Sequence, residues 1–168
     1  MLMPKFEPRE GLPPASFEET VEVNVNVSEA YLLFSDFERF PEFMEGVDRV
    51  VKTGEDTILW HATVQGRPEE WVARITELAP SKRISWESVS GARNNGTVSF
   101  ERVSETLTRV HMRIEYTPDG VVENVGSLLG IVNARMRADL DRFKRLAEAG
   151  GAVSEATSNG MSLHRNIQ

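Results

Sequence analysis

Cysteine is absent from all 168 residues of the chain. Without thiols the protein cannot hold a disulfide scaffold, a thiolate nucleophile, or a zinc or iron–sulfur site ligated by cysteine. Long apolar runs are also lacking. None approaches the roughly 18 residues of a membrane helix, and no basic segment leads into a short apolar stretch near the start. We therefore expect neither a membrane span nor a signal peptide, and we expect a cytoplasmic location.

Basic residues are fewer than acidic residues. Lys and Arg number 19 against 26 Asp and Glu, which gives a formal net charge of −7. The acids are concentrated between Glu18 and Asp56, where only Arg39, Arg49 and Lys52 oppose them. Such a stretch repels phosphates and anionic lipid headgroups, so we expect no nucleic-acid partner and interpret it as a solvated acidic face.

The motifs of common enzyme classes are missing as well. The chain has no Gly-x-Ser-x-Gly elbow, P-loop, His-Glu-x-x-His or dinucleotide fingerprint. His61 and His111 fall on the polar side of predicted strands, and His164 lies near the end of the chain, so we expect no metal site and no histidine-centred triad. Glu69 and Glu70 are adjacent, and on a strand they would point to opposite faces. No cofactor is expected, and no catalytic residue is identified.

A chain of this length is typical of one domain. Residues 1–16 have four prolines and no apolar period, and residues 150–168 begin with Gly-Gly and are rich in Ser, Thr and Asn. Both compositions are typical of flexible tails. The sequence therefore predicts a flexible tail over 1–16, one working domain over 17–149, and a disordered tail over 150–168.

Apolar periodicity predicts the elements of the domain. Alternation from Val21 to Val27 predicts a first strand, after which Ser28 is expected to cap a short helix. Phe40-Pro41 is expected to end that helix, and a second helical turn is expected over 41–44. Further strands are predicted at 46–53, 57–65, 68–79, 82–90, 96–104 and 107–117. Asn95-Gly96 is the strongest turn signal, and a period of 3.6 after residue 120 predicts a long C-terminal helix.

These elements favour one architecture. We predict an α+β helix-grip fold, in which a seven-stranded antiparallel curved sheet wraps around the long C-terminal helix and two short helices follow strand 1. One sheet face is apolar and has all three tryptophans of the chain. We predict that this face and the helix line a ligand site. The predicted lining residues are Trp60, Ala62, Val64, Trp71, Ala73, Ile75, Trp86, Ser88, Val98, Phe100, Met112, Ile114, Tyr116, Leu129, Val132 and Met136.

Two interpretations of this inner face stay open at the level of sequence. The aromatic side chains can form a packed core, or they can line a cavity between sheet and helix, since ligand pockets are concave and mostly apolar. Arg102 is the polar residue predicted at the mouth of such a cavity. Its guanidinium and the Tyr116 hydroxyl can either polarise a ligand or extend from the rim to water.

Several segments resemble the START-like (SRPBCC, Bet v 1-like) superfamily, and more narrowly its polyketide cyclase/dehydrase and coenzyme Q-binding branch. They are residues 37–44, 60–66, 70–77, 83–88, 91–100 and 139–144. The resemblance covers about 17–148 and implies the helix-grip fold. It implies a ligand less specifically, because the superfamily includes lipid carriers, quinone binders, hormone-type receptors and aromatase/cyclases on one scaffold.

Three functions are therefore considered. The favoured one is carriage or sequestration of a hydrophobic small molecule, such as a lipid, quinone or polyketide-like compound, by a protein with no integral membrane association that is a monomer or homodimer. The alternative is a polyketide aromatase/cyclase or dehydrase acting on an aromatic or poly-β-ketone substrate in the same cavity. The third is an interaction protein, as toxin-type members acting on ribosomes are, and the net charge of −7 argues against it.

Overall fold

Seven strands pair into a single antiparallel sheet in the computed structural model of the protein, which describes residues 15–64, 66–91, 93–117 and 125–150, the side chains of 125–129 excepted. The strands are β1 (Ala15–Val23), β2 (Val47–Lys52), β3 (Thr57–Val64), β4 (Arg67–Ala79), β5 (Arg83–Ser90), β6 (Arg93–Ser104) and β7 (Leu107–Thr117). Their order across the sheet is β1-β7-β6-β5-β4-β3-β2.

Three helices complete the architecture of the described residues. Helix α1 (Val27–Ser35) and a 3-10 helix (Phe37–Glu42) connect β1 to β2, and helix α2 (Val125–Glu148) follows β7. The predicted helix-grip fold is therefore confirmed, including the two short helices after the first strand and the long helix at the end. Within the described ranges, no helix is both long and apolar enough to cross a bilayer.

Side-chain alternation gives the sheet one apolar and one charged face. On β7, Thr108 and Val110 are buried, whereas Arg109 between them extends from the opposite face. There the Arg109 guanidinium lies 3.0 Å from carboxylates of both Glu22 on β1 and Glu101 on β6. Cross-strand ion pairs of this kind stabilise an exposed sheet face only weakly, so the apolar face supplies most of the driving force for folding.

The start of the domain differs from the prediction. Strand β1 begins at Ala15, inside the segment predicted as a tail, and it ends at Val23 rather than Val27. The cap of α1 is Asn26, whose side-chain oxygen accepts a hydrogen bond of 2.9 Å from the backbone N–H of Glu29. The prediction that Ser28 caps this helix was wrong. Both residue types are good caps, and the alternating valines extended the apparent strand past the true start of the helix.

The second short helix also begins earlier than expected. Helix α1 ends at Ser35, and the 3-10 helix contains Pro41 instead of starting there. The prediction that Phe40-Pro41 ends the first helix was therefore wrong. A proline fits inside this element because its fixed φ matches that of a 3-10 turn. The shift places Phe37 and Phe40 on the buried side of one short helix.

Four phenylalanine side chains pack the helices against one another. Phe34 on α1, Phe40 in the 3-10 helix, Phe43 just after it and Phe143 on α2 are all at most 1% exposed. The ring centroids of the contacting pairs lie 5.0–5.6 Å apart, mostly edge to face or tilted. These are the favoured separations and orientations for aromatic pairs. This phenylalanine cluster packs the carboxyl-terminal half of α2 against the segment that precedes β2.

Polar contacts reinforce the same attachment. The Asp139 carboxylate on α2 accepts a hydrogen bond of 3.0 Å from the backbone N–H of Glu45 and another from the Arg142 guanidinium. Arg142 also donates to the carbonyl oxygen of Phe43 at 3.0 Å. Burial raises the pKa of Asp139 from 3.8 to about 6, although the Glu45 N–H and the guanidinium groups of Arg142 and Arg135 oppose that rise.

The raised pKa of Asp139 predicts a pH-dependent contribution to stability. Between pH 3.8 and about 6 the folded state binds more protons than the unfolded state, so this group lowers the free energy of unfolding as the pH rises through that window. In Asp139→Asn this contribution is absent. The free energy of unfolding of the variant, minus that of the parent protein, should therefore increase from pH 4 to pH 7 in urea titrations.

Glu148→Gln on the same helix provides a control of opposite sign. Lys144 and the backbone N–H of Asn24 donate hydrogen bonds to the Glu148 carboxylate, and these lower its pKa. Its contribution to stability is present above its unfolded pKa and is lost as the pH falls. The corresponding difference for Glu148→Gln should decrease as the pH rises. If both variants give the same slope, the assignment of the Asp139 pKa is wrong.

Candidate functional site

The three tryptophans form one cluster on the inner face of the sheet. Trp60 on β3 is paired directly with Trp71 on β4, and their rings are stacked at a centroid distance of 5.5 Å and an interplanar angle of 13°. The Trp86 ring on β5 lies 6.5 Å from that of Trp60. All three side chains are at most 5% exposed. The prediction that they share one sheet face is confirmed, and we call this set the tryptophan cluster.

The tryptophan cluster lies at the middle of β3 and β5 and in the first half of β4. Trp60 and Trp86 are each four residues before the end of β3 and β5, and Trp71 is four residues after the start of β4. Phe100, which packs against Tyr31 and Phe34, lies further along β6 than Gly96, the residue opposite Trp86. The two aromatic clusters therefore occupy different parts of the same inner face, and they meet where Phe40 lies 5.2 Å from Trp60.

Helix α2 crosses the inner face between the two edge strands. Arg137 forms an ion pair of 3.1 Å with Glu19 on β1. A Cβ placed on Gly46, just before β2, would lie 2.8 Å from the Arg135 guanidinium. The packing of the helix is uneven along its described side chains. Leu140, Phe143 and Ala147 are buried in its second half, whereas Gly130 and Ile131 are exposed in its first half.

The predicted lining residues that are on strands lie on this inner face by alternation, and Val132 and Met136 lie on α2. Those that are buried are Trp60, Ala62, Trp71, Ala73, Trp86, Val98, Phe100, Met112, Tyr116 and Met136. Those that are partly buried are Val64, Ile75, Ser88, Ile114 and Val132. The Leu129 side chain is outside the described residues. Phe100 packs with the phenylalanine cluster, so the part of the set nearest the tryptophans is the stronger candidate for contact with a ligand.

Arg102 does not lie beside the tryptophans. It is near the end of β6, on the turn to β7, whereas Trp86 is opposite Gly96 near the start of that strand. The Arg102 side chain is 61% exposed and lies 3.8 Å from the Glu105 carboxylate. Arg102 therefore lies apart from the tryptophan cluster, and its position at the mouth of a cavity stays a prediction. Parity along the strand assigned its face, but parity carries no information on which end of the sheet it occupies.

The connection between β5 and β6 begins after residue 90 as predicted but ends earlier than the predicted residue 96. Gly91 has a φ of +79°, a conformation that favours glycine, and β6 already begins at Arg93. The prediction of a turn at Asn95-Gly96 was wrong. Gly96 is a strand residue on which the Trp86 ring rests: a Cβ there would lie 2.6 Å from Cη2 and closer to Cζ2 and Cε2. The tertiary contact overrides the local turn preference.

Asn94 is the site residue that sequence reasoning missed. Its side-chain oxygen accepts a hydrogen bond of 3.2 Å from the Trp86 indole N–H, and its backbone N–H donates to the Ser88 hydroxyl at 3.0 Å. The backbone N–H of Ser88 donates to the Asn95 side-chain oxygen at 3.1 Å. The polar groups at this end of the β5–β6 hairpin thus bind one another. Placing the turn at Gly91 would have put Asn94 on the inner face by alternation.

Two other indole groups differ from that of Trp86. The Nε1 atoms of Trp60 and Trp71 are buried and have no hydrogen-bond partner among the described residues. A buried tryptophan N–H usually finds a partner, and leaving one unpaired costs about 1–3 kcal/mol. Native proteins keep few such groups, so these two donors are an unusual feature of the inner face, on which the partly buried Glu69 carboxylate also lies, two residues before Trp71.

His61 and His111 take no part in this arrangement, and His164 lies outside the described residues. His61 lies on the outer face, 2.9 Å from the Glu70 carboxylate, and His111 is hydrogen bonded to the Thr20 hydroxyl at 2.8 Å. Both positions agree with the predicted polar face. Among the residues that the structure describes, no group of three or more His, Asp or Glu side chains could hold a metal ion.

A separate hollow of about 380 Å³ lies at the surface beside α1. Its lining residues are Tyr31, Ser35, Asp36, Phe37, Glu38, Lys52 and Leu78. Burial raises the pKa of the Tyr31 hydroxyl. The hollow contains none of the predicted lining residues and mixes charges of both signs with the exposed Leu78 side chain.

Comparison with known proteins gives consistent results for sequence and fold. The sequence profile of a family described as "Polyketide cyclase / dehydrase and lipid transport" matches residues 23–145. An uncharacterized 17.2 kDa protein of Streptomyces lincolnensis is 39% identical over 135 residues, which are 80% of this chain and 90% of that protein.

Two solved structures illustrate the likeness of fold. A protein of Deinococcus radiodurans is 24% identical, with a TM-score of 0.66 over 81% of this chain and 99% of that one. An aromatase/cyclase from Streptomyces sp. R1128 is 15% identical, with a TM-score of 0.67 over 80% of this chain and 93% of that one. At these sequence identities, the similarity shows a shared fold and nothing about function.

The contact between Trp86 and Gly96 predicts a sensitive position in the site. Gly96→Ala should lower the free energy of unfolding by about 1–3 kcal/mol, because the new methyl group overlaps the indole ring. Gly130→Ala is the matched control. Nothing lies within 4 Å of a Cβ at this helical position, so it should raise the free energy of unfolding by up to about 1 kcal/mol. Urea denaturation measures both, and an unchanged Gly96→Ala protein would refute the contact.

Proposed function

The chain belongs to the polyketide cyclase/dehydrase and lipid transport family of the START-like superfamily, and on this basis we propose that it binds a hydrophobic small molecule between the sheet and α2. The observation that carries the proposal is the tryptophan cluster. Three large aromatic side chains lie together on the inner face of the sheet, which α2 crosses. An apolar concave surface with few polar groups is typical of ligand sites.

The chemistry of the surrounding residues favours an uncharged ligand. Ala62 and Ala73 follow the tryptophans on the inner face of β3 and β4, and Val98 and Met112 are buried on β6 and β7. Ser88 and Asn94 are already hydrogen bonded to each other within the hairpin. An ionised headgroup buried here without a partner would cost several kcal/mol. Lipids, quinones and polyketide-like compounds with neutral bodies meet this requirement.

Binding is tested by titrating the protein with quinones, fatty acids and flat polycyclic phenols while recording tryptophan fluorescence. Saturable quenching or a spectral shift is expected, because all three indoles of the chain lie in the cluster. Trp86→Phe should weaken binding about threefold to tenfold, since it removes roughly 1 kcal/mol of apolar contact.

Phe34→Leu is the matched control. It also reduces a fully buried aromatic side chain, but in the phenylalanine cluster, so it should lower stability and leave ligand affinity unchanged. ATP, NADH and zinc serve as negative ligands. Saturable binding of any of these three, with no response to the apolar panel, would contradict the proposal.

Catalysis in the same space is the second candidate function. Its support is the name of the family and the shared fold with the Streptomyces aromatase/cyclase. Tyr116 is the buried inner-face residue whose hydroxyl could polarise a carbonyl group or move a proton. Incubation with a synthetic poly-β-ketone distinguishes the two functions. A carrier returns the compound unchanged, whereas a cyclase forms a cyclised, dehydrated product at a rate that Tyr116→Phe should reduce.

A further inference from the structure

Trp60 and Trp71, the stacked pair of the tryptophan cluster, have two indole N–H groups that could donate hydrogen bonds to a bound molecule. We propose that the indole N–H groups of Trp60 and Trp71 donate hydrogen bonds to oxygen acceptors of the bound molecule. The site then selects neutral ligands with carbonyl groups over hydrocarbons of the same shape. This inference rests on the proposed function, and it adds the residues and the ligand group that determine specificity.

The geometry of the pair supports a shared role. Trp60 and Trp71 are direct cross-strand neighbours, and their rings are inclined by only 13°. An indole N–H lies in the plane of its ring, so the two N–H bonds lie in nearly parallel planes. The side chains are 4% and 5% exposed, and neither Nε1 atom has a hydrogen-bond partner among the described residues. Both donors are therefore withheld from bulk water and from the protein groups that the structure describes.

The third indole of the cluster, that of Trp86, has a hydrogen-bond acceptor within the protein. Its Nε1–H donates to the Asn94 side-chain oxygen at 3.2 Å, on the same inner face and within the same cluster. The inner-face neighbours of the stacked pair include Ala62 and Ala73, whose side chains contain no polar atom, and Glu69, whose carboxylate accepts no hydrogen bond from either indole N–H. The contrast within one cluster indicates that the two unpaired donors serve a ligand.

The donor type restricts the chemistry of the ligand. An indole N–H donates and cannot accept, so the ligand must present an acceptor such as a carbonyl oxygen. Aliphatic chains and plain aromatic rings present none. An anionic oxygen would also accept, but its charge would be buried among apolar side chains. Neutral ketones and quinones satisfy both conditions.

The test compares 1,4-naphthoquinone with naphthalene, which have the same fused rings and differ in two carbonyl groups. The chain has no cysteine, so the quinone has no thiol to alkylate. Burial alone favours naphthalene, because it is the more apolar compound. We expect calorimetry to show about tenfold tighter binding of the quinone, since one neutral hydrogen bond contributes a factor of about three to ten.

Isosteric variants assign the preference to individual N–H groups. In 3-benzothienylalanine, sulfur replaces the N–H of tryptophan with nearly the same ring shape. Incorporated at position 60 or 71, it should reduce the preference for the quinone about threefold to tenfold. At position 86 it should leave the preference unchanged, because that N–H is already bonded to Asn94.

A second measurement needs no variant. In protein labelled with ¹⁵N, the quinone should move the Trp60 and Trp71 indole proton signals downfield, whereas naphthalene should not. Equal affinity of the two probes, or a preference that survives at both positions, would overturn the inference and leave the proposed function standing. If neither probe binds and the apolar panel also fails, the proposed function is wrong and this inference falls with it.

Discussion

Burial of the phenylalanine cluster is the interaction on which the rest of the structure depends. It joins α1, the 3-10 helix and the carboxyl-terminal half of α2 in one contact surface. Four fully buried rings at roughly 1.5–3 kcal/mol each are comparable to the whole stability of a typical domain, about 5–15 kcal/mol. The tryptophan cluster meets the phenylalanine cluster where Phe40 contacts Trp60, but it lies outside these contacts between helices.

The division of the inner face explains how a family fold accommodates a site. A fold shared with carriers and cyclases does not determine which reaction, if any, takes place inside it. Proteins that share such a fold can differ in the few polar groups that lie beside the apolar surface. In this chain the described polar groups near the tryptophans are the hairpin set of Ser88, Asn94 and the Trp86 N–H, the two unpaired indole donors, and the Glu69 carboxylate, which is partly buried two residues before Trp71.

Much of this arrangement could be predicted from the sequence, and the exceptions have physical causes. Alternation assigned Trp60, Trp71 and Trp86 to one face, because the period of a strand is short and strict. It could not place Arg102 along the strand, which depends on the register with neighbouring strands. Asn95-Gly96 was wrongly predicted as a turn. Position 96 is a glycine because the Trp86 ring of the neighbouring strand leaves no room for a side chain. The unpaired donors of Trp60 and Trp71 could not be predicted, since pairing depends on neighbours in space.

The contact of Trp86 with Gly96 also has an evolutionary consequence. The indole occupies the volume that any side chain at position 96 would need, so neither position can vary alone without loss. Relatives that place a smaller residue at the position of Trp86 are free to carry a larger one at that of Gly96. The two positions should therefore be inherited as a pair, and where the pair changes, the shape of the ligand should change with it.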